Sequence, residues 1–167
     1  MNYDSVFDKW HEECGVFGIY DRTVDVARYV YWGLFALQHR GQESAGIAVT
    51  DGHDVELKKG MGLLTEAIKE LPSLPSYMGT GHVRYSTTGS NNPRNIQPLV
   101  IHYQGGQIAV AHNGNLTNAL SIRKRLEADG SICQTTMDSE VIVNLIARSK
   151  AETQAERIAR SEERRVG

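Results

Sequence analysis

Cys14-Gly-Val-Phe-Gly-Ile-Tyr20 is a short apolar run of the kind that suits a buried strand. Outward from it, Val26, Tyr29, Val30, Gly33, Leu34 and Leu37 keep helical spacing and predict an amphipathic helix over about residues 24–38. Residues 45–50 and 54–58 flank the turn pair Asp51-Gly52 and predict a hairpin. Residues 63–71 suit a short helix that Pro72 and Pro75 end. Residues 81–85 look like a strand, and residues 86–98, rich in Ser, Thr, Asn and Gly, look like a loop. Residues 99–103 and 107–112 suggest paired strands, and residues 116–128 a helix that stops before Gly130. A strand is expected at residues 132–135. Asp138 is then the expected N-cap of a helix that turns Val141, Ile142, Leu145 and Ile146 to one face. Clustered strands with flanking helices predict a layered α+β sandwich over a doubly wound parallel sheet.

The 167 residues correspond to about one domain, with ordinary globular composition. Lys and Arg number 18 against 20 Asp and Glu, so the basic footprint of a nucleic-acid binder is missing. No apolar run approaches the ~18 residues of a membrane span. Residues 1–13 carry Asp4, Asp8, Glu12 and Glu13 against Lys9, unlike a signal peptide. The chain is therefore expected in the cytoplasm, with neither nucleic acid nor membrane as partner. Cys14 and Cys133 form no Cys-x-x-Cys pair, the histidines show no metal-ligand spacing, and no metal site is assigned. Residues 151–167 are dense in Glu and Arg and suit a solvated helix with little core.

Taken singly, the polar motifs have ordinary explanations. A cysteine in an apolar strand is usually inert packing. Gly41 after His39-Arg40 suits an αL helix terminator. Arg84 at a strand end is either a surface cation or a fork for a carboxylate. Asn113-Gly114 is either a turn or a pair of oxyanion donors.

In order and wording, however, five segments resemble one family. They are Cys14-Gly-Val-Phe-Gly18, Leu37-Gln-His-Arg-Gly-Gln-Glu43, Gly81-His-Val-Arg-Tyr-Ser-Thr87, Ala111-His-Asn-Gly-Asn-Leu116 and Met137-Asp-Ser-Glu140. Together they resemble the class II glutamine amidotransferase domain of the glutamine phosphoribosylpyrophosphate amidotransferase family, over about residues 12–150. The glucosamine-6-phosphate synthase branch is similar at the cysteine and at Asn-Gly. It carries Tyr-Arg-Gly-Tyr-Asp in place of residues 39–43 and lacks Asn-Leu after His-Asn-Gly, so the purine branch is favoured.

The resemblance implies the four-layer αββα sandwich of the N-terminal nucleophile hydrolases, incomplete at its C-terminal side. It divides the chain into a leader (1–13) removed after Glu13, a partial amidotransferase domain (14–150) and a charged tail (151–167). The end of that tail, from Arg160, has no family counterpart and is suspected to be non-native. It implies that Cys14 is the nucleophile, with its freed α-amino group as base. Asn113 and Gly114 would hold the oxyanion. Arg84 with Thr87 would take the α-carboxylate of glutamine, Asp138 its α-amino group, and Arg40 and Gly41 would line the site. A further domain outside this chain would bind phosphoribosyl pyrophosphate, magnesium and, in leader-bearing members, a 4Fe–4S cluster. There ammonia would form 5-phosphoribosylamine, the first step of de novo purine synthesis, in a homo-oligomer. The competing expectation is an unprocessed or truncated fragment without activity.

Overall fold

The parity of small and large residues along three strands fixes how the layers stack. The computed structural model describes residues 14–85 and 92–166, with side chains described as far as residue 163. Strands β1 (Gly15–Tyr20), β2 (Ser44–Thr50), β3 (Val55–Met61) and β4 (Met78–Arg84) form an antiparallel sheet in the order β1-β4-β2-β3. Gly15 pairs with Val83, which pairs with Ala45, and alternate residues outward share that face. On it, Phe17, Ala45, Ile47, Val49 and Val83 meet Val26, Val30 and Leu34 of helix α1 (Val26–Ala36). Val30 and Leu34 are fully buried, worth about 1.5–3 kcal/mol each. The other face carries Cys14, Gly46, Ala48, His82 and Arg84, and it looks toward the second layer.

That second layer is the hairpin of β5 (Leu99–Tyr103) and β6 (Gly106–Val110), with Leu99 opposite Val110. The two sheets touch where the Gln97 carbonyl lies against Gly46. A Cβ built on Gly46 would come within 2.2 Å of that oxygen, so no side chain fits there. Behind the hairpin, Ile142, Val143 and Ile146 of α4 (Ser139–Ala147) pack on Ile101, Ile108 and Val110. Leu145 and Val141 meet Ile122 and Leu126 of α3 (Ala119–Ala128). The layers therefore run helix, sheet, sheet, helix, as expected from the sequence.

Four local expectations change. The helix near residue 64 is a single turn, α2 (Leu64–Ala67). Helix α3 begins three residues later than its pattern, because the Leu116 N–H donates to Asp138 Oδ2 at 2.7 Å. Residues 132–135 form no strand. The Gln134 and Thr135 N–H groups donate instead to the Glu140 carboxylate, at 2.6 and 2.9 Å. The charged tail does form a helix, α5 (Gln154–Val166), but it docks: Ala151 and Ser161 are buried, and the Arg157 guanidinium donates to Ser149 O at 2.7 Å. Among the described residues no helix is long and apolar enough to cross a membrane.

Candidate active site

Cys14 stands one residue before β1, on the face that looks toward the hairpin. Its Sγ is bracketed by the backbone of Tyr85, at 3.5 Å from the carbonyl oxygen and 3.4 Å from the N–H that donates to it. Its carbonyl oxygen accepts from Asn113 Nδ2 at 2.6 Å and from Arg40 Nε at 3.3 Å. The first sheet thus supplies the cysteine, and the segment after β6 supplies the amide that reaches it. An amide nitrogen has two hydrogens, and this bond engages one of them.

Gly114 follows with φ of +153°, a conformation that side-chain-bearing residues rarely adopt. A Cβ there would also lie 3.0 Å from His112 Nε2. Gly41 is not the αL terminator its position suggested. It is extended, with φ of −159° and ψ of 127°. Its glycine identity answers a close approach instead, since a Cβ would stand 2.6 Å from the Arg84 carbonyl carbon. Gly41 and Arg84 therefore touch through backbone at the same sheet end as Cys14.

The Arg84 guanidinium faces Glu43, with Nη1 3.8 Å from Oε1. Both side chains are largely buried. Among the described residues, both Glu43 oxygens and Arg84 Nη1 lack a hydrogen-bond partner. Sequence reasoning quoted Glu43 within a motif but assigned it no role. The available signal was position: Glu43 precedes Ser44, the register partner of Arg84, so opposite charges fall one step apart at one sheet end.

Asp138 precedes α4 but does not cap it with its side chain. Its Oδ2 is taken by the Leu116 N–H, and its Oδ1 lies 4.0 Å from His112 Nδ1 and 3.5 Å from Ser139 Oγ. It is tied to the residues on either side of Asn113-Gly114. Cys14, Arg40, Gly41, Arg84 and Asn113 are thus brought together directly, and Asp138 joins through His112 and Leu116. Thr87 lies outside the described residues.

His82, two residues before Arg84, is 1% exposed. Burial, and then the positive charge of Arg84, lower its pKa to about 4. The imidazole is neutral at pH 7. A cleft of about 1160 Å³ between β3, β5 and residues 132–135 is lined by none of these site residues. Among the described residues, no three His, Cys, Asp or Glu side chains gather as a metal site, and Cys14 and Cys133 are free thiols. The two cysteines of the chain are too few for the four thiolates of an iron–sulfur cluster.

The chain is similar to known glutamine amidotransferases. The glutamine amidotransferase domain family matches residues 82–159, which hold Arg84, Asn113 and Asp138. An amidophosphoribosyltransferase of Staphylococcus aureus (strain MRSA252) is 48% identical over 154 residues, covering 90% of this chain and 31% of that protein. One from Methanocaldococcus jannaschii is 49% identical over 143 residues, covering 84% of this chain and 30% of that protein. The glutamine phosphoribosylpyrophosphate amidotransferase of B. subtilis, solved with ADP and GMP, superposes with a TM-score of 0.81 at 43% identity. It covers 89% of this chain and 32% of that one. The chain spans about a third of the length of these relatives. With that likeness the α+β layers are those of the N-terminal nucleophile hydrolase sandwich, and residues 82–159 match a glutamine amidotransferase domain.

Proposed function

We propose that this chain is the glutamine-hydrolysing part of an amidophosphoribosyltransferase. The observation that carries the reading is the bond from Asn113 Nδ2 to the Cys14 carbonyl, which sets an amide donor beside a thiol at the end of β1. Cleavage after Glu13 would give Cys14 a free α-amino group, whose pKa near 8 lets it accept the thiol proton. The thiolate attacks the side-chain amide carbon of glutamine. The resulting oxyanion takes the second Nδ2 hydrogen of Asn113 and the Gly114 N–H. As the intermediate collapses, the proton passes to the departing nitrogen, ammonia leaves, and a γ-glutamyl thioester remains. Water then releases glutamate and restores the thiol. One such oxyanion donor is worth about 3–4 kcal/mol of barrier.

Arg84 binds the α-carboxylate, with Thr87 as a hydroxyl donor, and Asp138 Oδ1 receives the α-amino group. Two opposite charges at fixed places also gauge chain length, so asparagine holds its amide carbon short of Cys14. Arg40 and Gly41 line the site beside Cys14 and Arg84. In the whole enzyme, ammonia displaces pyrophosphate from phosphoribosyl pyrophosphate and gives 5-phosphoribosylamine, committing carbon to purines. The cytoplasm suits this chemistry because it keeps Cys14 reduced.

Intact mass and glutamate release test the reading together. A mass lower by residues 1–13, glutamine-dependent glutamate, and loss of that activity in Cys14→Ala are expected. Retained Met1 without labelling by a glutamine-analogue electrophile, or a Cys14→Ala chain that still releases glutamate, overturns it.

A further inference from the structure

The segment bearing Asn113 leaves β6 after the last ladder pair, Leu99 with Val110, so no strand holds residues 111–114. A side chain does that work. Gln97 Nε2 donates to His112 O at 3.0 Å, and Gln97 Oε1 accepts from His112 N at 2.7 Å. The Gln97 amide thus mimics one rung of a β-ladder and satisfies both backbone groups of the residue just before Asn113. Its other N–H points at His82 Nε2, 3.5 Å away. His82 lies on β4, two residues from Arg84. Gln97 itself is 7% exposed, and its own carbonyl is wedged on Gly46 of β2. It touches the first sheet through its backbone and grips the second layer through its side chain.

We propose that Gln97 is a positioning residue: its amide, clamped on both backbone groups of His112 and set on His82, holds the Asn113–Gly114 pair against Cys14. This rests on the glutamine-hydrolysis reading above. Asn113 is exposed and lies in a chain segment without a strand partner, so its aim is set by where His112 is fixed. A shift of 1 Å at such a donor costs about 100-fold in rate. Of the substrate contacts, Arg84 is held on β4 independently of this clamp, and Asp138, although Oδ1 faces His112 Nδ1 at 4.0 Å, keeps its own anchor in the Leu116 N–H.

The test uses the full chain, with intact mass establishing that Cys14 is the first residue. Gln97→Leu removes both bonds, and Gln97→Glu keeps the shape but turns an acceptor toward the His112 carbonyl. Each is expected to lower kcat for glutamate release by about 100-fold while KM for glutamine stays within about threefold. In an Asn113→Ala background, Gln97→Leu is expected to cost less than about threefold more, because residues acting as one unit are not additive. Full additivity, or a raised KM with kcat intact, overturns the proposal.

Amide exchange in the unaltered chain guards against variants that do not fold. The His112 N–H should exchange slowly although it lies outside β6, and exchange as fast as at Asn115 overturns the clamp. A chain that begins at Cys14 and releases no glutamate overturns the hydrolysis reading instead, and the exchange result then decides the clamp separately.

Discussion

Replacing Arg84 by Met should destabilise the fold through Glu43, whatever it does to substrate. The two charges stand 3.8 Å apart with side chains only 17% and 12% exposed. At an effective dielectric near 20, a pair at that distance is worth about 4 kcal/mol. Among the described residues neither buried Glu43 oxygen has a hydrogen-bond partner, so Arg84 is the described compensation for that carboxylate. Removing one partner of such a pair leaves a buried charge uncompensated, at about 3–5 kcal/mol. Residual exposure puts the expectation at the lower end, about 3 kcal/mol. For a chain of this length that lowers Tm by about 6–12 °C. Urea unfolding followed by circular dichroism at pH 7 measures it, and Glu43→Gln added to Arg84→Met should return at least half of the loss. A loss under about 1 kcal/mol, or no recovery in the double variant, refutes the claim that the pair is coupled and buried.

Two further outcomes follow from packing and protonation. The pKa of His82 is lowered in the folded state to about 4, while the unfolded chain keeps the ordinary value of about 6.5. The unfolded state therefore binds the extra proton between those values. The contribution is intact above pH 6.5 and is lost as pH falls toward 4, by about 3 kcal/mol in all. Urea titrations across that range should show the slope, and His82→Gln should flatten it. Gly46→Ala should cost about 3 kcal/mol, because the new Cβ meets a backbone oxygen that cannot rotate away. Unchanged urea stability of that variant would contradict the close contact between the sheets.

The sequence made β1, α1 and the two hairpins legible because each is a local period bounded by turn residues. Gly46 and Ala48 alternating with Ile47 and Val49 even mark which side of β2 faces the second sheet. The missed pieces are those where a backbone group bonds a side chain far along the chain. Ile132 and Gln134 alternate like a strand, yet the Gln134 and Thr135 N–H groups belong to Glu140, and Ile132 is 82% exposed. Helix α3 starts late because Asp138 takes the Leu116 N–H. The site shows the same division. Cys14, Arg84, Asn113 and Asp138 stood out as motif residues, whereas Glu43 and Gln97 matter through partners at Arg84 and His112. Local spacing reveals neither partner.

The bond from Asn113 to Cys14 also has a meaning in time. It spans 99 positions. In chain order the cysteine comes first, and the first sheet is complete at Arg84, before Asn113 is reached. The amide arrives with the hairpin and is held only once Gln97 and His112 have met. A nascent or half-folded chain thus carries a thiol without its partner donor. On this view the oxyanion donors join the nucleophile only when the second layer is in place.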